Sequence, residues 1–415
     1  MRLLIGLHHL ELGGSQLNAL DLAVMARDHG HHVVVFAVYQ DEIGPVAEKV
    51  RAEGLPLVLA QDDRENQGFL PARPAVARAL SRIVAKERIQ VVHAYEEPLI
   101  LDSFYGPHLR FGTPLVWTLY GTCVAWWLAR YPQLIVGTRE LADLAAPLRT
   151  QPPVLIEPPV NTDADSAALV DGAAFRHEHG LGTDIVAGIV SRLEPHMKAD
   201  GIKQAMGAVQ ILDDHRLRLV VTGEGPSFAE LNAHAERINA ALGRHAVVMT
   251  GPLADPRPAY AAADIALGMG SSALRAMAFG KPLIVLGMRG FAKPFVPAGA
   301  EEFLVGGFYG YGSGDLDPAP VAASIRDLAD RPELRAELGA FGRQLVWDRF
   351  SLKAASATVE DIYATAVDHK RALGRRMWEA VRVATCRTAS EGLSDAAKDR
   401  LRPWIAPLFQ RAGRG

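Results

Sequence analysis

Cysteine is nearly missing from this chain. Its 415 residues hold only Cys123 and Cys386, which excludes a disulfide framework and fits a reducing, cytoplasmic compartment. Long apolar runs are missing too. No stretch reaches the ~18–20 residues that a membrane-spanning helix needs. The opening Met1-Arg2-Leu3-Leu4-Ile5-Gly6-Leu7-His8-His9 is too short and too soon polar for a signal peptide, and reads instead as a first β-strand. A formal net charge of −3 gives no global attraction for a polyanion, so no nucleic-acid partner is expected. The first turn, Leu12-Gly13-Gly14-Ser15-Gln16, lacks the Gly-x-Gly-x-x-Gly spacing of a dinucleotide site, which counts against an NAD-dependent enzyme. No Asp-x-Asp stands as a ligand pair at the end of a strand-like run, so no metal centre and no bound cofactor are expected.

At 415 residues the chain is too long for one ordinary core, and two domains are the natural expectation. In the first half, apolar runs at 2–8, 32–39, 56–60, 89–93, 114–118, 134–137 and 154–157 read as strands. Amphipathic segments such as 16–27 and 74–87 lie between them. This alternation predicts right-handed βαβ units and a parallel sheet covered on both faces. Polar, glycine-rich sequence at 161–182 separates a second round, with strands expected at 185–191, 218–222, 246–250, 264–267 and 282–286. The expected fold class is α/β: two Rossmann-like, doubly wound domains facing a cleft, at 1–165 and 166–350. Ligands of such sheets sit beyond the carboxyl ends of the strands, so the site should lie in the turns that follow these runs.

The tail at 351–415 differs in composition. From 365 onward it holds eleven Lys or Arg against five Asp or Glu, with helical patterns at 368–388 and 395–412. Trp378, Val381, Trp404, Ile405, Leu408 and Phe409 are positioned to cover an apolar surface. The expectation is a helix returning to the first domain with a solvated basic face. The alternative is a peripheral contact with anionic lipid, an acidic partner or another subunit.

Residues 263–282 carry the strongest functional signal. An apolar run ends in the turn Gly268-Met269-Gly270, Ser271 and Ser272 stand at helix N-cap positions, and a short helix stops at Gly280. Such a junction aims free backbone N–H groups and the positive end of a helix dipole at one spot, which suits a phosphate. Arg192 and Lys198, in Ser191-Arg192-Leu193-Glu194-Pro195-His196-Met197-Lys198, follow another strand and could clamp a diphosphate. The bland alternative is two surface cations beside Glu194 and Asp200. Glycine turns recur at Gly223-Glu224-Gly225 and Thr250-Gly251-Pro252-Leu253. In the first half, Gly13 and Gly14 permit close approach to a ligand and Ser15 can cap the helix that follows. His93, Tyr95 and Tyr120 end two further strands, where packing and ligand contact are equally open readings.

The order and spacing of these elements, from about Leu3 to Tyr363, resemble the retaining GT-B glycosyltransferases of family four, the group 1 glycosyl transferases. The family's helix reads Glu-Ala-Met-Ala-x-Gly-x-Pro where this chain reads Arg275-Ala276-Met277-Ala278-Phe279-Gly280-Lys281-Pro282. The positions of the family's paired glutamates fall at Leu267 and Arg275, so neither glutamate is present. One of them usually holds ribose hydroxyls, bonds that an arginine cannot accept. A cation early in a helix also opposes the dipole, by ~0.3–1 kcal/mol. Arg275 is left to point to solvent or to meet an anionic ligand or a nearby acid.

The resemblance implies transfer of a sugar from a nucleoside-diphosphate donor to a small-molecule, glycan or lipid-linked acceptor, with retention. Arg192 and Lys198 would be catalytic through leaving-group stabilisation. Donor contacts would come from Gly14, Gly223, Glu224, Thr250 and Leu253, and from Met269, Gly270, Ser271, Ser272 and Arg275. Gly13, His93, Tyr95 and Tyr120 would face the acceptor. Two alternatives stay open: a degenerate GT-B protein that binds without transfer, and a sugar-nucleotide epimerase of the same fold.

Overall fold

The computed structural model describes residues 1–62, 71–121, 123–368 and 372–391. The chain divides into two compact units. One holds residues 1–157 together with the described residues from Lys353 onward, and the other holds Pro158–Leu352.

The first unit is built on seven strands: β1 (Arg2–Leu7), β2 (His32–Tyr39), β3 (Leu57–Gln61), β4 (Val91–Tyr95), β5 (Leu115–Leu119), β6 (Gln133–Val136) and β7 (Val154–Leu155). They lie in the order β3-β2-β1-β4-β5-β6-β7 and all pair in parallel. Runs such as Val33-Val34-Val35-Phe36-Ala37-Val38 are buried throughout, as a sheet covered by helices on both faces requires. Strand order reverses between β1 and β4.

The second unit repeats the plan with β8 (Ile185–Val190), β9 (Leu217–Thr222), β10 (Val247–Gly251), β11 (Ile265–Gly268), β12 (Leu283–Leu286) and β13 (Ala292–Pro294). The order is β10-β9-β8-β11-β12-β13, so the reversal falls between β8 and β11. Every expected strand is present within a residue or two, except that the last of the first half shrinks to Val154–Leu155. The short strand β13, antiparallel to β12, has no counterpart among the expectations. Three residues with Pro294 at one end carry too weak an alternation to be read.

The tail forms two helices, Leu352–Asp368 and Leu373–Glu391, and both pack on the first unit. The second inverts the expected orientation. Arg382 is buried, its Nη2 2.7 Å from Leu128 O and 2.9 Å from Glu379 Oε2. Arg376 Nη1 donates to His108 O at 2.7 Å and to Leu109 O at 3.0 Å, and Arg387 donates to Pro71 O. Leu373, Met377, Trp378 and Val381 point outward, with Trp378 and Val381 each 58% exposed. These arginines face inward because helix ends and loops of the first unit offer carbonyls that need donors. Trp378 and Val381 therefore do not cover the apolar surface expected of them. The 395–412 pattern, with Trp404, Ile405, Leu408 and Phe409, lies outside the described residues. No described helix is long and apolar enough to cross a membrane.

Candidate functional site

In the second unit the strand reversal places the turn after β8 beside the turn after β11, the usual position of a ligand in an open α/β sheet. The turn after β8 is held by backbone bonds. Ser191 N donates to Thr222 O at 3.0 Å, Leu193 N to Glu224 O at 2.7 Å, and Ser227 N to Leu193 O at 3.1 Å. The glycines at 223 and 225 make this contact feasible. Gly223 has φ of 140°, and a Cβ there would overlap the Ser191 carbonyl oxygen. Gly225 has φ of 150°, and its Cβ would lie 2.7 Å from Leu193 O. The Gly-Glu-Gly turn thus acts as a mould for the loop that carries Arg192.

Arg192 is exposed and its Nε lies 2.8 Å from Glu194 Oε1. Lys198 sits in the turn Pro195–Ala199 that leads into the helix Asp200–Leu212, its N–H donating to Glu194 O at 3.1 Å. Burial pushes its ammonium down to about 8; Glu194 opposes that shift and Arg192 adds to it. Two cations therefore share one acid, and an arriving anion would relieve the surplus.

The turn after β11 leads into the helix Ser271–Ala278. Neither serine caps it. The N-cap is Gly270, at φ 56° and ψ −135°, and Ser271 and Ser272 are the first two helical residues. Ser272 Oγ instead donates back to Met269 O at 2.9 Å. Gly270 N donates to Phe308 O at 3.1 Å, and a Cβ on Gly270 would lie 2.6 Å from the Tyr309 hydroxyl. First-turn N–H groups of a helix have no intrahelical partner, and here they follow a residue without a side chain.

Arg275 falls in the last turn of this eight-residue helix, where a cation suits the dipole, so the expected penalty does not arise. Its Nε lies 3.6 Å from Asp165 Oδ2, with the two side chains 19% and 5% exposed. Burial raises the Asp165 carboxyl, and Arg275 is the first of the neighbours that pull it down. Of the options left open by the sequence, the fold provides the nearby acid. Thr250 Oγ1 lies 3.1 Å from Thr222 Oγ1 and 3.0 Å from Gly251 O. Leu253 is half-buried at the adjoining apolar cluster, and the Glu224 side chain is exposed.

One segment escaped the sequence reading. Phe308-Tyr309-Gly310-Tyr311-Gly312-Ser313-Gly314 lies against the end of β12, with Met288 N donating to Gly310 O and Gly312 N to Met288 O, both at 2.9 Å. It presents Tyr309 beside Gly270. Its alternation of glycine and tyrosine was the available signal.

The first unit corrects several expectations. His93 is buried, with Nδ1 2.7 Å from Tyr363 Oη and Nε2 2.7 Å from Thr118 Oγ1. Burial pushes its imidazole down to about 3, so it is a neutral, satisfied core group rather than a residue lining a sugar site. Tyr95 is equally buried and stacks on His93 at 4.5 Å. The strand β4 alternates inside a doubly covered sheet, which leaves neither side chain an outlet. Tyr120, one residue beyond β5, is half-buried. Gly13 has φ of −155° and is the N-cap of the helix Gly14–Asp28, with no side-chain cap. Ser15 Oγ donates to Gln16 Oε1 at 3.2 Å rather than capping. Gly14 is exposed at the start of that helix. Among the described residues, no group of three or more His, Cys, Asp or Glu is placed to hold a metal ion.

Two Rossmann-like α/β sheets of this kind, parallel apart from the short edge strand β13, define the GT-B fold class. Residues 13–165 match the glycosyl transferase 4-like domain, and residues 184–330 match the glycosyl transferases group 1 domain. The chain belongs to the group 1, family-four-like glycosyltransferases. HepE from Anabaena, in complex with UDP and glucose, is similar at 17% identity and a TM-score of 0.69, over 88% of this chain and 100% of HepE. The catalytic domain of starch synthase IV from Arabidopsis thaliana, bound to ADP and acarbose, matches at 12% identity and a TM-score of 0.61, over 89% of this chain and 99% of that domain. WaaG, a glycosyltransferase involved in lipopolysaccharide biosynthesis, matches at 16% identity and a TM-score of 0.58, over 86% and 99% of the two chains. No curated protein matches the chain.

Proposed function

We propose that this protein transfers a sugar from a uridine diphosphate donor to a hydroxyl-bearing acceptor, with retention at the anomeric carbon. The observation that carries the reading is the placement of Arg192 and Lys198 at the same strand reversal as the Gly270–Ser272 helix start. UDP as carrier is supported by the HepE likeness, since that protein is also known in complex with UDP-glucose.

When the bond from the anomeric carbon to the diphosphate breaks, the electron pair leaves with the diphosphate. Arg192 and Lys198 would meet that charge directly, and the first-turn N–H groups of the Ser271–Ala278 helix would add a fixed dipole. The Arg192–Glu194 pair must open for this, at small cost because Arg192 is exposed. The acceptor oxygen bonds to the anomeric carbon on the face that the diphosphate leaves, and the hydroxyl proton passes to the departing diphosphate oxygen.

Calorimetric titration with UDP, GDP, ADP and TDP and their glucose conjugates tests the reading. UDP is expected to bind, and Arg192→Ala to weaken it ~10–100-fold, the worth of one charge-assisted contact to phosphate. Absence of binding to every nucleotide would overturn the proposal. Binding without UDP release over a broad acceptor panel would favour a degenerate binding protein instead.

A further inference from the structure

The first sheet has its own strand reversal, between β1 and β4, and the residue that leaves β4 there is Glu96. Its backbone lies at φ 64° and ψ 157°, a strained region almost reserved for glycine. A glycine would make this turn without strain; here the turn carries a carboxyl group instead. The half-buried carboxylate accepts one bond, from Tyr120 N at 3.2 Å through Oε1. Among the described residues it forms no ion pair with Lys, Arg or His. Burial raises its carboxyl to about 7, with the Tyr120 N–H pulling it back.

Beside it the Tyr120 hydroxyl is buried and has no hydrogen-bond partner among the described residues. A buried phenol without a partner forfeits the hydrogen bonds that water would give it. The turn after β1 adds His8 and His9, whose rings lie 4.1 Å apart with Gln16 Nε2 3.0 Å from His9 Nε2. An unpaired carboxylate accepts hydrogen bonds and repels anions, whereas a phenol can both donate and accept. That combination suits a neutral polyol.

We infer that Glu96 and Tyr120 form a hydroxyl-binding subsite, in which the Glu96 carboxylate holds an acceptor hydroxyl and Tyr120 bonds a neighbouring one. As an acceptor site this rests on the transferase reading above. As a polyol site it stands on Glu96 and Tyr120 alone. Nothing in the family match assigns Glu96.

The full chain, with and without saturating UDP, is titrated with D-glucose, N-acetyl-D-glucosamine, glycerol and myo-inositol by saturation-transfer NMR. At least one polyol is expected to bind. Glu96→Gln should weaken it at least tenfold and Tyr120→Phe several-fold, with UDP affinity unchanged within twofold in both variants. Glu96→Gly separates function from folding: relief of the strained backbone should raise Tm while polyol binding is lost. No binding by any of the four polyols, or Glu96→Gln binding as well as wild type, would overturn the inference. Polyol binding that depends on Glu96 in a protein that fails to bind UDP would overturn the transferase reading and leave the subsite standing.

Discussion

Where strand order reverses in the second sheet, the chain turns on Gly270 after β11, Gly223 and Gly225 of the neighbouring β9 turn mould the loop after β8, and the side chains that emerge from that loop are cations. At the same place in the first sheet it turns on Glu96, with a carboxylate and a tyrosine at the edge. The backbone demand is similar, a positive φ at the end of a parallel strand. Glycine meets it freely and leaves the backbone to approach a ligand. A glutamate meets it under strain, and the strain is tolerable only if the surrounding structure or a ligand repays it. The contrast fits two ligands of opposite character: a diphosphate that needs positive charge and bare N–H groups, and a hydroxyl that needs a lone pair.

Gly223→Ala attacks that contrast where the expected effect is largest. The new Cβ would overlap Ser191 O at a φ of 140°, so the loop carrying Arg192 must move. A loss of ~3 kcal/mol or more is expected in the second unit, with hydrogen exchange at β8 and β9 rising while β1 and β4 stay protected. Unchanged exchange would mean that the glycine mould is dispensable.

Arg275→Met comes next. Removing the arginine leaves the Asp165 carboxyl buried without its neighbour, and ~1–3 kcal/mol of destabilisation is expected in urea unfolding, eased by adding Asp165→Asn. UDP affinity should stay within about twofold. A loss of ~10-fold or more, comparable to that of Arg192→Ala, would place Arg275 on the donor and redraw the edge of the second sheet.

The smallest effect is read from the pH dependence of Glu96→Gln. The Glu96 carboxyl is raised to about 7 from an unfolded value of 4.5. Below the unfolded value both states bind the proton and the side chain costs nothing extra. As pH rises from there toward the folded value, the unfolded chain releases its proton while burial makes the native side chain keep it, and stability falls. Relative to wild type, Glu96→Gln should therefore gain about 1–2 kcal/mol between pH 4.5 and 8, after allowance for partial exposure. A flat difference would show a solvated carboxylate and weaken the comparison between the two edges.

Both units were legible in the sequence because parallel strands buried on two faces are short apolar runs, and their alternation with helices is local. The runs 32–39 and 185–191 needed no tertiary knowledge to be read as strands. The turn carrying Arg192 and the Gly-Glu-Gly turn were readable for the same reason, as residue types at the end of such runs. The caps at Ser15, Ser271 and Ser272 were misread because a glycine one position earlier can start a helix with no side-chain bond at all. Glu96 escaped notice because nothing in its neighbours announces a positive φ.

By itself, then, the sequence determined two doubly wound sheets, the places where each chain turn meets a sheet edge, and the residue types available there. These follow from side-chain periodicity, which acts over a few residues. The tertiary structure alone decided which of those residues are buried, paired or exposed. It closed Tyr363 over His93, set Asp165 against Arg275, and turned Arg376, Arg382 and Arg387 inward while leaving Trp378 outside. Each of those outcomes is a partner brought from far along the chain, and burial and charge pairing are fixed only when that partner arrives.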